Sequence, residues 1–187
     1  MDDMQFIRQL ETLTETFNRM HAEAPLIVRV MVLGHLFEHL CHESWATEVV
    51  DKPIEAVDRG VEGWALGRQV FRDLHQREIV LAYAGDSPET ESGYDEEEAL
   101  NAEVMRAADA FSAEVSELNG HVGQVGMGFL YEQTLFASDN PDVEVIVGTL
   151  WERGRTLYQE RHDLIASDGD SRTSRTRRAL SRKRRKH

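Results

Sequence analysis

The chain has very little cysteine and no long apolar run, and both absences exclude classes of protein. Its single cysteine, Cys41, cannot form an intramolecular disulfide, which excludes a disulfide-stapled secreted scaffold. The most apolar stretch, 26–33, contains Arg29, whereas a membrane-spanning helix needs about 20 apolar residues. The chain begins with the acidic segment MDDMQF, unlike a secretory signal. These features predict a cytoplasmic protein, or a component of a virion assembled in a reducing cytosol.

Lysine is nearly missing from most of the chain, and positive charge is concentrated at the C-terminal end. Nine of the 21 basic residues lie in 171–187, which contains no acid, so residues 1–170 hold the other twelve together with all 34 acids. This acidic composition, with Lys52 as its one lysine, is typical of extreme halophiles, because carboxylates hold hydrated cations and keep a protein soluble in salt. A GC-rich actinobacterial or phage genome, which favours arginine codons, is the alternative explanation.

The length and hydrophobic content predict one folded domain with a separate tail. The chain has 187 residues, of which 41% are hydrophobic, which is enough for a core. Residues 171–187 contain two apolar side chains and cannot contribute to a core. We therefore predict an acidic helical domain over 1–170, an all-α bundle of five or six helices, followed by an extended, arginine-rich C-terminal arm over 171–187.

Hydrophobic residues at steps of three and four predict the first two helices. One such stripe runs through 3–22. The next segment, 25–50, opens at Pro25 and is apolar on nearly all sides, which places it at the centre of the bundle. Its first part, PLIVRVMV, is β-branched and also compatible with a strand. Helical spacing continues after it without a turn signal and favours a helix.

Capping signals delimit the middle of the chain. Asp51 is placed to cap a third helix that continues to about residue 83, and 84–93 is rich in turn formers and is predicted to be a surface loop. Ser92 and Asp95 form a capping-box pattern at the start of a fourth helix. The apolar stripe of that helix reaches Leu118, and Gly120 ends it.

Glycine punctuates the segment 120–137, which begins with GHVGQVGMG. A phosphate-binding loop follows a strand and ends in Gly-Lys-Ser/Thr, but this segment follows a helix and lacks that ending. We predict either tight helix packing or a flexible connector here. Asn140 and Pro141 then start a last helix, and Gly154 on its apolar face indicates close approach of another helix.

A cluster of residues able to bind a metal lies in the second helix, in the sequence GHLFEHLCHES. His35, Glu38, His39 and His42 share one helical face, and Cys41 points away from it as a small buried hydrophobe. The segment from Gly34 to Leu40 fits the H-x-x-E-H pattern and resembles the zinc-binding helix of the insulysin-type metallopeptidases. His35, His39 and His42 are therefore the candidate ligands for zinc or another divalent metal.

This resemblance implies roles for the cluster. His35 and His39 would bind zinc, Glu38 would be the general base, and Glu114 or Glu117 would be the third ligand. The resemblance covers seven residues, and members of that family are larger and pack this helix on a sheet. A structural metal site and a hydrolase are thus alternatives. We favour a polar stripe or interface that faces a protein surface and holds no cofactor.

A second resemblance concerns Arg155 and His162, which are separated by six residues with Tyr158 between them. This spacing is similar to the Arg-x4–6-His motif of the HEPN ribonucleases, which are all-helical and place the motif on a late helix. The resemblance implies that Arg155 and His162 would act on a scissile phosphate. The residue after the arginine, Thr156, fits that family weakly, and a solvated helix face is the interpretation we favour.

The basic tail is the feature most directly connected to function. Its nine cations predict binding to nucleic acid or to an acidic protein partner. They are Arg172, Arg175, Arg177, Arg178, Arg182, Lys183, Arg184, Arg185 and Lys186. The sequence therefore predicts a non-enzymatic, oligomeric helical assembly protein whose arm contacts nucleic acid or an acidic partner, for example a virion component such as a head–tail connector or capsid-associated protein.

Overall fold

The structure is a computed structural model that describes residues 2–46, 53–75, 97–138 and 140–162. These ranges form six helices and contain no strand, which confirms the predicted all-α bundle. The helices are α1 (Asp3–Met20), α2 (Leu26–Ala46), α3 (Pro53–His75), α4 (Glu97–Glu114), α5 (Gly120–Phe136) and α6 (143–162). The arm 171–187 and the proposed boundary after residue 170 lie outside the described residues.

Side-chain caps fix several of the helix starts. The Asp2 carboxylate accepts a hydrogen bond from the Gln5 amide at 2.7 Å, and Asn119 accepts one from the His121 amide at 2.9 Å. Asn140, as predicted, accepts from the Asp142 amide at 2.8 Å at the beginning of α6. Each cap satisfies an amide that has no partner inside its helix. The predicted caps Asp51, Ser92 and Asp95 lie outside the described residues, as does the loop 84–93.

The end of α4 differs from the sequence-based prediction, and the predicted ends of α2 and α3 lie outside the described residues. α4 ends at Glu114, whereas its apolar stripe continues to Leu118. The reason is local: Asn119 takes an extended conformation to cap α5, and Leu118 closes a turn by bonding to the Val115 carbonyl. α2 ends at Ala46 within the described residues, and α3 is described only to His75, so its predicted extension to residue 83 is outside the described range.

The core is built around α2 and α5, which are apolar on nearly every side. Val30 to Leu33 of α2 are fully buried, which confirms the central position predicted for this helix. In α5 every residue from Val122 to Gly128 is buried, so the ambiguous glycine-punctuated segment is a core helix. The remaining helices surround this pair, with α3 and α1 packed on α5, and with α3 and α4 packed on α2.

Glycine brings two pairs of helices into backbone contact. A Cβ added to Gly67 of α3 would collide with the Val125 carbonyl of α5, and one added to Gly128 would collide with the Trp64 carbonyl. α2 and α6 meet in the same way, through Gly34 and Gly154. All these hypothetical contacts fall below 3.0 Å, a separation that Cβ atoms essentially never show. The close approach predicted for Gly154 is therefore confirmed, and Gly128 shows the tight packing that was one of the two alternatives for its segment.

None of the described helices combines the length and the apolarity that crossing a bilayer requires.

Candidate functional site

α6 packs against the polar row of α2, which consists of His35, Glu38, His39 and His42. His35 and Glu38 are 2% and 3% exposed, while His39 and His42 are partly buried. The prediction that this row faces a protein surface is thus wrong for its first two members. Because the glycines at the α2–α6 crossing lack side chains, α6 approaches closely enough to cover them. A helical pattern identifies a polar face, but it does not show which element covers that face.

α6 carries a matching row with the same spacing. Arg155, Tyr158, Gln159 and His162 repeat the offsets of three, four and seven found in the α2 row. The two helices run in the same general direction here, since Gly34 meets Trp151 near the middle of both helices and His42 meets His162 closer to their C-terminal ends. The polar faces of α2 and α6 therefore pack on each other along about two turns.

Glu38 and Arg155 form the charged centre of this interface. One oxygen of Glu38, Oε1, accepts hydrogen bonds from Arg155 Nη2 at 2.7 Å, Arg155 Nε at 2.9 Å and Gln159 Nε2 at 2.9 Å. Arg155 also donates to the exposed Glu152 at 3.0 Å. Burial acts to lower the pKa of Arg155, but the hydrogen bond and negative charge of Glu38 outweigh it, so the pKa is raised. Arg155 therefore keeps its positive charge in this interface.

Four imidazoles surround the ring of Tyr158. The ring centroids of His35, His39, His42 and His162 lie 5.0, 5.8, 5.3 and 4.2 Å from it, respectively. The tyrosine hydroxyl is 3.5 Å from the Nδ1 of His39, and His42 and His162 stack with their planes 14° apart. This aromatic cluster continues the α2–α6 interface beyond the ion pair, towards the end of α6.

His35 is the unusual member of the cluster. Both of its ring nitrogens are buried and have no hydrogen-bond partner among the described residues. Burial, and to a lesser extent the charge of Arg161, lower its pKa to about 4 against the opposing effect of Asp109. His35 is consequently neutral at physiological pH and behaves as an aromatic core residue packed against Tyr158.

This environment makes the stability of the fold depend on pH. In the unfolded chain His35 binds a proton near pH 6.5, whereas in the fold it does so near pH 4. Between these values the unfolded state binds more protons, so stability present above pH 6.5 is lost as the pH falls towards 4. The loss from His35 should be on the order of 3 kcal/mol.

Denaturant unfolding of wild type and His35→Phe over this pH range measures the effect. Phenylalanine keeps a ring against Tyr158 but takes up no proton. The carboxylates titrate in both proteins and cancel in the difference. The free energy of unfolding of wild type minus that of His35→Phe should therefore fall by on the order of 3 kcal/mol as the pH is lowered from 6.5 to 4. If the free energies of unfolding of the two proteins changed in parallel with pH, His35 would titrate in the fold as it does in the unfolded chain.

The side chains expected for a metallopeptidase do not converge. Among residues 2–46, 53–75, 97–138 and 140–162, no three His, Cys, Asp or Glu side chains are arranged to hold a metal ion. Glu38, the expected base, is held by Arg155 and Gln159. Glu114 is exposed and lies 3.5 Å from Arg19, and Glu117 is exposed in the turn after α4.

Arg155 and His162 also occupy positions unlike those that the ribonuclease resemblance implies. The guanidinium of Arg155 is neutralised by Glu38 and Glu152, which leaves its charge unavailable for a phosphate. The ring of His162 lies against that of Tyr158 at a tilt of 39°. The interpretation of this pair as a solvated helix face is wrong for Arg155, whose side chain is only 25% exposed.

Cys41 is buried, as predicted. Its sulfur faces Gly60 of α3, where even a single added carbon would collide with it. Burial raises the pKa of this thiol to about 12, so it is protonated and unreactive at neutral pH. Cys41 therefore contributes to packing between α2 and α3 and is not a nucleophile.

Comparison of the chain with protein-family models, with curated proteins and with solved structures gives no match. The nine basic side chains of the tail that were predicted to bind a partner, Arg172 to Lys186, lie outside the described residues.

Proposed function

We propose that this chain is a non-enzymatic helical assembly protein whose basic C-terminal arm, 171–187, contacts nucleic acid. The observation that carries the proposal is the separation of charge between a net-acidic folded part and an arm with nine cations and no acid. Charge segregated in this way gives one end of the molecule a strong attraction for phosphate, while the rest repels it.

The ion pairs of the folded part support this division. Seven of its arginines lie within ion-pair distance of carboxylates of the same chain. They are Arg19, Arg68, Arg72, Arg106, Arg153, Arg155 and Arg161. A carboxylate beside an arginine offsets its positive charge and so weakens its attraction for phosphate. The arm is thus the part of the chain best suited to bind a polyanion.

The chemistry of the arm also defines the mode of binding. It contains seven arginines, whose planar guanidinium groups bind phosphate oxygens in pairs. It contains no Phe, Tyr or Trp, so it cannot stack on bases in the way that single-strand-binding proteins do. Binding through phosphates alone is independent of base sequence. A virion protein that holds packaged nucleic acid, such as a connector or capsid-associated protein, is one setting for this activity.

An acidic protein is the alternative partner, and neighbouring copies of this chain would qualify. The strongly acidic part of one molecule could accept the arm of the next, which would produce an oligomer. Two measurements distinguish these partners. An arm that binds nucleic acid gives affinity for duplex DNA, whereas an arm that binds neighbouring copies gives an oligomer in solution.

Deleting 171–187 should abolish binding to duplex DNA and leave the helical circular dichroism signal unchanged. If the full chain engages about six phosphates, the logarithm of its affinity should fall with the logarithm of salt concentration at a slope near −5. A variant with the nine cations replaced by glutamine tests charge at constant length. A variant with the arm sequence shuffled should bind like wild type. DNA binding by the truncated protein would refute the proposal.

A further inference from the structure

A pocket of about 200 Å³ opens between α1, α2, α4 and α5, and it shares His39 with the α2–α6 interface. Its deepest walls are apolar and almost completely buried: Leu13, Leu36, Phe111 and Met127 are each 1–3% exposed. Polar side chains lie higher on the walls and at the rim, with Ser112 and His39 partly buried and Ser116 and Asn119 exposed. The pocket thus has an apolar floor and a polar mouth.

Glycines on one wall help to keep this space open. Gly120 and Gly123 of α5 both line the pocket. A Cβ added to Gly123 would press on the side chain of Leu40, another lining residue, at 2.9 Å, whereas one added to Gly120 would meet nothing within 4 Å. A side chain at Gly123 would therefore displace the Leu40 wall of the pocket, and the space beside Gly120 is open.

Size and charge restrict what the pocket can hold. A protein cavity of about 150 Å³ lined by apolar side chains accommodates benzene, so this space fits one ring with a small substituent. The described residues that line it include no Asp, Glu, Lys or Arg. A charged ligand would lose hydration there without gaining an ionic partner. Serine, histidine and asparagine can each donate or accept a hydrogen bond, which suits a neutral hydroxyl.

We propose that this pocket binds a small, uncharged molecule with one aromatic ring and a hydroxyl group. The ring would lie on the apolar floor formed by Leu13, Leu36, Phe111 and Met127, and the hydroxyl would bond at the mouth, where Ser112 and Ser116 lie. Such a ligand contacts four helices at once and therefore stabilises their arrangement. The site is independent of the basic arm, so it stands whether or not the arm binds nucleic acid.

Phenol is the probe that tests the site, titrated into the full chain and followed by methyl NMR. Saturable shifts should concentrate at methyl groups of the floor and of Val115, and the melting temperature should rise by roughly 3–6 °C at ten times Kd. Ser112→Leu, which fills the pocket from α4, should weaken binding at least about tenfold. Ala113→Leu places the same side chain at the adjacent exposed position and should leave the affinity unchanged.

Gly120→Leu provides a second obstruction at the mouth if Ser112→Leu fails to fold, because the added Cβ meets no neighbouring atom. Loss of phenol binding in either folded pocket variant, with binding retained in Ala113→Leu, supports the site. Absence of saturable shifts in the wild type overturns it. Shifts that persist unchanged in the folded pocket variants also overturn it, since phenol would then bind elsewhere.

Discussion

Replacing Glu38 with alanine should lower the free energy of unfolding by about 2–4 kcal/mol, because it removes the buried carboxylate of the pair and leaves the exposed Glu152 as the remaining partner of Arg155. Three hydrogen bonds converge on one oxygen of Glu38, and its side chain is only 4% exposed. Chemical denaturation of the variant and wild type at pH 7 measures the difference.

Glu152 supplies a matched control for this experiment, since it bonds to the same arginine but is 64% exposed. Glu152→Ala should cost less than about 1 kcal/mol, as is usual for an exposed ion pair. Glu38→Leu combined with Arg155→Leu should be more stable than Glu38→Leu alone, because the double variant removes the unpaired charge. Equal losses in Glu38→Ala and Glu152→Ala would show that burial does not strengthen the pair.

Replacing Gly154 with alanine should destabilise the protein by about 1–3 kcal/mol, although alanine is the better helix former. The added methyl group would collide with the backbone carbonyl of Met31. A flexible side chain could move aside, but the backbone of the central helix cannot do so without shifting the core. The midpoint of thermal or denaturant unfolding reports the loss.

Gly148 is the matched control on the same helix. A Cβ at this position would have Tyr131 as its nearest neighbour, at a comfortable 3.8 Å. Gly148→Ala should therefore stabilise the protein by about 0.5–1 kcal/mol, through helix propensity alone. Opposite signs for the two substitutions are the expected outcome. A stabilising Gly154→Ala would mean that α2 and α6 are farther apart than the structure shows.

The extent to which the fold could be predicted differs between α1 and α5. α1 has one apolar face and one polar face, so its periodicity gave its bounds to within two residues. α5 is buried along most of its length and thus has no polar face to provide contrast. Its glycines also lower helix propensity, yet close packing on α3 compensates for this cost. α2 is equally apolar, but its helical spacing continues without a turn signal, whereas the glycines of α5 interrupt the pattern.

The candidate site was predictable on one helix and not on the other. The polar row on α2 was found from its spacing, but its burial was not, because Glu38 and Arg155 are 117 residues apart in sequence. The matching offsets of Arg155, Tyr158, Gln159 and His162 were a usable signal. Two helical faces with equal spacing, one carrying an acid and the other a base, are candidates for pairing. Glycine directly before each row strengthens that inference.

The long separation between α2 and α6 has a consequence for biosynthesis. A ribosome adds about 5–20 residues per second, so α2 is complete on the order of ten seconds before Arg155 is made. During this interval its apolar surface and the Glu38 carboxylate lack the helix that covers them. The bundle can close only after α6 has left the ribosome. Nascent chains that stall before residue 143 should therefore be the species that aggregate or recruit chaperones.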